Sequence, residues 1–143
     1  MVAEKEYIQG IFRQHRMGTD FSRAVTELKN SGIQGVSYHV ASGDTVYYGK
    51  DGETLLFPGG EKKQLIIASD KNLAYLSYAL RTYQAGLTKY SAFCEQIASA
   101  GVNLWIADLS RMTISYFTAS GYLLREECIP AFLPSDIGHT QKN

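Results

Sequence analysis

The sequence has few of the residues and patterns that mark a specialised class of protein. It contains two cysteines, Cys94 and Cys128, which form neither a CxxC pair nor a metal-binding cluster with the three histidines. We therefore expect no disulfide framework, no metal and no cofactor, and two reduced thiols in a cytoplasmic protein. The N-terminus has no apolar signal core, and no apolar run reaches the roughly 18 residues that a membrane-spanning helix needs.

The sequence also has no excess of positive or negative charge. Fourteen Lys and Arg residues balance fourteen Asp and Glu residues. A nucleic-acid-binding protein usually carries a basic excess, because its binding energy comes largely from neutralising phosphates. We therefore expect neither nucleic acid nor a membrane as a partner. The sequence also lacks a GxSxG element, an HExxH element and a dinucleotide fingerprint, which excludes the enzyme classes that those motifs identify.

An internal repeat organises what is present. When the sequence is shifted by 69 positions, its two halves align without a gap, with apolar positions matching apolar ones. The aligned landmarks are Thr19 with Thr88, Gly32 with Gly101, Tyr47 with Tyr116, Gly52 with Gly121, and Leu55 with Leu124. Because these are cap, turn and apolar positions, the alignment indicates two copies of one structural unit.

Each copy predicts two helices followed by three strands. The first helices are expected near 4–16 and 71–84, the latter capped by Ser69 or Asp70. Thr19 and Thr88 are expected to cap the second helices, which end at the left-handed residues Gly32 and Gly101. Period-two alternation predicts the strands. They begin near Val36, Thr45 and Glu53 in the first copy, and near Trp105, Ile114 and Tyr122 in the second.

These units set the domain organisation. We expect repeat one at about 4–57, a linker at about 58–70, repeat two at about 71–127 and a tail at 128–143. Within the linker, the apolar run 64–68 favours a further short strand. One copy of about 55 residues has only a marginal core. The prediction is therefore a single α+β domain over 1–143, a tandem pseudo-repeat of helix–helix–three-stranded antiparallel units.

The second copy carries a recognisable series of elements. The segments are Gly86–Cys94, Ala100–Leu109 and Met112–Phe117, with GxT(x)Y, FC, AGV, W and DL in order. This series resembles a YbcV-like bacterial family of unknown function, whose members are often labelled "phage envelope protein". The resemblance implies kinship and no particular activity. The family pattern has His-Gln before the Gly-x-Thr element, whereas this chain has Tyr83-Gln84.

His39 and Asp108 are the candidate catalytic residues. They occupy equivalent positions in the two repeats, and both interrupt the first strand of their unit on the face away from the core. If a pseudo-two-fold axis passes between those strands, the two side chains could approach each other and act as an acid–base pair. The alternative interpretation is two solvent-facing polar residues on half-exposed strands.

Aromatic residues are the candidate binding residues. Trp105 is the only tryptophan, and it joins Tyr38, Tyr47 and Tyr116 on the predicted strands. These rings either fill the core or line a pocket for a small polar or aromatic ligand between the repeats. Cys94 lies on the apolar face of a predicted helix, where a cysteine behaves as a small hydrophobe rather than as a nucleophile.

Two functions from different classes follow from these patterns. The first is a module without catalysis that binds a small ligand or another protein, with a homodimer formed through exposed edge strands. The alternative is a small acid–base enzyme or hydrolase that uses His39 and Asp108 in a cleft between the repeats.

Overall fold

The computed structural model describes residues 21–60 and 63–129. Its three helices are α1 (Phe21–Asn30), α2 (Leu73–Gln84) and α3 (Tyr90–Ser99). Its six strands are β1 (Ile33–His39), β2 (Thr45–Gly49), β3 (Thr54–Phe57), β4 (Leu104–Asp108), β5 (Thr113–Phe117) and β6 (Leu123–Cys128). The helix predicted near 4–16, the cap predicted at Thr19 and most of the predicted tail lie outside the described residues.

All six strands form one antiparallel sheet in the order β3-β2-β1-β4-β5-β6. Each group of three consecutive strands is a meander, and the two meanders join through antiparallel pairing of β1 with β4. The predicted α+β class is confirmed. Each of the six strands predicted for the two repeats is present, with its ends within about three residues of the expected position.

One face of the sheet packs against the helices. On β1 the side chains of Val36 and Tyr38 point to this face, and on β4 those of Trp105 and Ala107 do the same; all four are buried. Buried residues of α1, α2 and α3 belong to the same core cluster. We call this side of the sheet the helix face. Because successive side chains of a strand alternate, the residues between these four point to the opposite side, which we call the open face.

The helices bury the faces that their apolar spacing predicts. In α1 these are Ala24, Val25 and Leu28, and in α3 they are Phe93, Cys94 and Ile97. The expected core position of Cys94 is thus confirmed.

Left-handed backbone occurs at the glycines that the sequence indicates and at one residue, Met112, that it does not. Gly32 and Gly101 follow α1 and α3 with φ of 93° and 96°. The turn between β1 and β2 uses Gly43 at φ 81°, and the turn between β4 and β5 uses Met112 at φ 56°. Met112 lies 69 positions after Gly43, and both residues have a positive φ. The two turns therefore share a conformation, which the sequence indicates only at the glycine.

The two predicted helix caps that fall within the described residues are wrong by one to three residues. Asn72 caps α2, and its side-chain oxygen accepts a hydrogen bond from the backbone N–H of Tyr75 at 2.9 Å. Lys89 occupies the N-cap position of α3 and makes no side-chain cap bond. The reason is that α3 begins one residue later than predicted, which places Thr88 outside the N-cap position.

The predicted strand at 64–68 is also absent. Instead, the backbone N–H of Leu65 donates to the carbonyl of Ala41 at 2.9 Å, and that of Ala68 donates to the carbonyl of Ala98 at 2.9 Å. These two acceptors lie after β1 and near the end of α3. Because its hydrogen bonds go to two separate elements, this apolar segment crosses between them rather than pairing along an edge of the sheet.

Candidate functional site

The structure places His39 and Asp108 at opposite ends of the central strand pair. His39 lies across from Leu104, whereas Asp108 lies across from Gly35. At a rise of about 3.4 Å per residue, the four-residue offset separates their Cα atoms by about 14 Å. β1 and β4 are neighbours in the sheet, but their register does not bring the two side chains together within one chain.

Each of the two residues has a local role in the described structure. Asp108 Oδ1 accepts hydrogen bonds from the backbone N–H groups of Ser110 and Arg111, both at 3.1 Å, and so caps the β4–β5 turn. His39 uses its backbone in the β1–β2 turn, donating to the Asp44 carbonyl at 2.9 Å and accepting from Gly43 at 2.7 Å. Its imidazole is exposed on the open face.

The four predicted binding residues lie on the helix face. Tyr38, Trp105 and Tyr116 are cross-strand neighbours, and Tyr47 lies in the adjacent row. All four are buried. The rings of Tyr38 and Trp105 are stacked with centroids 5.3 Å apart. This burial favours the core interpretation of the rings, and a ligand pocket lined by them stays a prediction.

Hydroxyl and thiol groups lie close together where α3 packs against the sheet. The Tyr38 hydroxyl lies 3.6 Å from Cys94 Sγ. Tyr90 packs edge-on against Tyr38 at 5.8 Å, and Tyr83 stacks on Phe93 at 4.3 Å. Buried polar groups are stable when they bond one another. The thiol of Cys94 therefore belongs to a packed polar cluster within the core.

Burial keeps two tyrosines of this region neutral. Burial raises the pKa of Tyr90 well above its usual value, and the nearby Cys94 and Tyr38 raise it further. Burial also raises the pKa of Tyr116, with a further contribution from the Glu127 carboxylate. Desolvation acts in this direction because it disfavours the charged phenolate.

These shifts predict a loss of stability at alkaline pH. A group whose pKa is higher in the folded protein stabilises it fully below the unfolded-state pKa, which is about 10 for tyrosine. Above that pH the unfolded chain ionises first, so each such tyrosine lowers the free energy of unfolding by about 1.4 kcal/mol per pH unit. We expect urea unfolding between pH 9 and 11 to show a shallower decline when Tyr90→Phe and Tyr116→Phe are combined than in the unsubstituted protein. Equal slopes would contradict the prediction.

The open face carries a band of apolar side chains, which we call the apolar stripe. Its central row pairs Leu56 with Val46, crosses Ser37 to Ile106, and becomes polar beyond it at Ser115 and Glu126. The stripe then continues through Leu104, Phe117 and Leu123 to the other edge of the sheet. Leu56 is 52% exposed, Leu123 47% and Ile106 37%. The apolar members lie on five of the six strands and three of them are exposed, which makes the stripe a candidate binding surface.

Tyr48 extends the stripe on β2, beside the polar Ser37 of β1. It lies across from Gly35, and a Cβ atom added to Gly35 would be 3.7 Å from Tyr48 Cδ2, an ordinary packing distance. Its hydroxyl lies 3.1 Å from the hydroxyl of Ser37, which is buried. Sequence analysis did not select this surface, because it treated the residues between core positions as solvent-facing. The sequence feature that could have identified this surface is a set of apolar residues at positions where strand alternation predicts polar ones: Val46, Leu56, Leu104 and Ile106.

The two edge strands are protected against pairing. β3 has four residues and is followed directly by Pro58, which lacks a backbone N–H. β6 carries Arg125, Glu126 and Glu127 in succession, and Arg125 pairs with Glu127 at 3.1 Å. Short length, proline and charge are the usual means of blocking strand addition. The edge-strand route to a homodimer expected from the sequence is therefore disfavoured.

The part of the chain that the structure describes contains neither a cluster of three possible metal ligands nor a helix able to span a membrane. No three histidine, cysteine, aspartate or glutamate side chains within residues 21–60 and 63–129 lie close enough to hold a metal ion. In the same ranges, no helix has the length and apolar character required to cross a membrane.

Comparison with known proteins places this fold in a family. The chain is 28% identical over 116 residues to an Escherichia coli (strain K12) protein described as "Uncharacterized protein YcgX", an alignment that covers 81% of this chain and 86% of that protein. Residues 9–128 match the family model described as "Protein of unknown function (DUF1398)". Since this match includes every described strand and helix, the chain belongs to the DUF1398 family.

Proposed function

We propose that the protein is a binding module that recognises another protein through the open face of its sheet. The observation that carries the proposal is the apolar stripe, in which Leu56, Ile106 and Leu123 are exposed on a sheet face opposite the helices. Antiparallel sheets commonly leave one face to solvent, but that face is then mostly polar. An apolar band with members on five of the six strands indicates a surface that is covered in the functional state.

The enzyme alternative has less support. An acid–base pair needs its two groups within hydrogen-bond reach or one water apart. His39 and Asp108 are separated by four positions of the β1–β4 register, and Asp108 already caps a turn. The proposed module therefore uses neither residue as a catalyst.

We also propose that the whole chain, 1–143, is one domain that arose by tandem duplication. In support, Ser37 and Ile106 are 69 positions apart and lie directly across from each other in the β1–β4 pair. An axis through this pair relates the two meanders, because the sheet order is symmetric about it. The kinship with YbcV-like proteins is part of this proposal, and it assigns no role in phage.

Photo-crosslinking in cells would test the binding surface. A benzophenone amino acid replaces Ile106 or Leu56 in the full chain, or Tyr78 as the control. Tyr78 is 48% exposed but lies on α2, on the helix side of the sheet. We expect ultraviolet light to give a discrete protein adduct from the two open-face positions and none from Tyr78.

Two results would overturn the proposal. One is the absence of a protein adduct from both Ile106 and Leu56 at normal expression of the folded variants. The other is an equal set of adducts from Tyr78, which would show that the exposed fraction of a side chain, rather than its face, determines crosslinking.

A further inference from the structure

We propose that the partner on the open face is a second copy of this chain, and that His39 of each copy contacts Asp108 of the other. This inference rests on the proposed function, since it names the occupant of the same surface. It gives a role to two open-face residues that the register keeps apart within one chain.

The positions of these residues are self-complementary. The Ser37–Ile106 pair marks the centre of the open face, with His39 two residues from it along β1 and Asp108 two residues from it along β4. Because the strands are antiparallel, the two lie on opposite sides of the centre, each about 7 Å away. A two-fold axis in the plane of the face, perpendicular to the line that joins them, places each His39 over Asp108 of the other copy.

The same axis gives a packing angle that sheets adopt. The line from His39 to Asp108 is tilted by about 20° from the strands, so the strands of the two copies cross at about 40°. The sign of this crossing angle depends on which side of β1 each neighbouring strand occupies. The backbone of His39, whose side chain is on the open face, bonds toward β2 through Asp44, whereas Val40 bonds toward β4 through Asn103. For a chain of L-residues this arrangement makes the crossing angle negative. Aligned sheets in β-sandwiches pack at about −30°. The operation that pairs the polar residues therefore also brings the sheets into a common arrangement.

The contacts made by this axis are apolar at the centre. Ile106 lies beside the axis and packs against Ile106 of the other copy, while Tyr48 faces Val46 and Leu56 across the interface. Asp108 can take part because both of its turn-capping bonds go to Oδ1. Its Oδ2 accepts no hydrogen bond from the described residues and is available to an imidazole N–H.

The area of the face sets the strength of the dimer. Six strands at about 4.8 Å spacing and five residues at about 3.4 Å rise give roughly 500 Å² per copy. The total of about 1000 Å² lies near the lower limit for a specific interface. We therefore expect a weak dimer, with a dissociation constant on the order of micromolar rather than nanomolar. Strand addition is not the route, because both edges of the sheet are protected.

Sedimentation equilibrium of the full chain tests the dimer directly. We expect reversible dimerisation over loading concentrations of about 1–500 µM. Ile106→Lys should abolish it by placing an ammonium group beside the axis. Tyr78→Lys, an equally large change on α2, should leave it unchanged. Thermal unfolding of each variant confirms that the fold is retained.

A double-mutant cycle tests the specific contact. His39→Asp should weaken the dimer about tenfold, because two carboxylates then face each other in each of two symmetric contacts. Asp108→Asn keeps the turn-capping oxygen and removes the charge. In that background, His39→Asp should weaken the dimer by less than threefold, so that the two effects are not additive.

The outcomes separate this inference from the function on which it rests. A wild-type chain that remains monomeric at 500 µM, or a dimer that Ile106→Lys does not affect, overturns the second copy as the occupant. Additive effects of His39→Asp and Asp108→Asn overturn the proposed contact. If the chain is monomeric but Ile106 crosslinks to a different protein, the binding function stands and this inference falls. If neither a dimer nor an adduct forms, both fall.

Discussion

Replacing Trp105 with alanine is expected to lower the free energy of unfolding by about 3–5 kcal/mol, the usual cost of truncating a large buried aromatic residue. Trp105 is 3% exposed and lies in the central strand pair, stacked on Tyr38. Its removal would leave a cavity between β4 and the helices that the surrounding rings cannot fill. Urea unfolding monitored by circular dichroism measures the change.

Ile106 provides the matched control, since it is the next residue of the same strand. It points to the open face, and Ile106→Ala removes a partly exposed side chain. We expect a loss of about 1 kcal/mol or less. Losses of similar size for Trp105→Ala and Ile106→Ala would mean that both faces of β4 are buried, which would contradict the assignment of the open face.

Gly59→Ala is expected to cost about 2–3 kcal/mol, because it forces an overlap that only backbone movement can relieve. A Cβ atom on Gly59 would overlap the carbonyl oxygen of Ser42, a backbone atom of the β1–β2 turn. Relief would separate the loop after β3 from that turn and break the 2.8 Å hydrogen bond from the Gly59 N–H to Asp44 Oδ1. The free energy of urea unfolding again measures the effect.

Gly35→Ala is the comparison for this change. A Cβ atom on Gly35 would lie 3.4 Å from the nearest atom, the Ala107 carbonyl oxygen, which is a tight but tolerated contact. We expect a change within about 1 kcal/mol. If Gly59→Ala is equally mild, the loop after β3 does not depend on close approach to Ser42, and the packing described for it is wrong.

The order and type of elements could be predicted from the sequence, because alternation and turn residues report them directly. β1 and β4 follow the alternation of Val36, Tyr38, Trp105 and Ala107, and the ends of α1 and α3 follow from Gly32 and Gly101. The segment 64–68 was misassigned, because apolar content does not reveal which backbone groups a segment will meet. Met112 shows the same limit, since its left-handed turn is set by its neighbours rather than by its own preference.

The candidate surface could not be predicted from the sequence, because it depends on strand order and register, which local sequence patterns do not contain. His39 and Asp108 both lie on the open face of the central strand pair, but their separation is set by the β1–β4 register. That register pairs residues from distant parts of the chain. The aromatic residues were chosen for their chemistry, although ring size is equally suited to a core, and their burial supports the core. The apolar stripe becomes visible only when six short strands are placed side by side.

The strand order also determines how the chain can fold. Four of the five strand pairs join neighbours in sequence and close through short turns, whereas β1 and β4 pair residues such as His39 and Leu104, 65 positions apart. Closing that loop costs chain entropy that the local hairpins do not pay. We therefore expect each meander to form over a low barrier and the docking of β1 on β4 to be the slow step. Until that docking occurs, both central strands are temporary edges, and neither has the proline or the run of charges that protects β3 and β6.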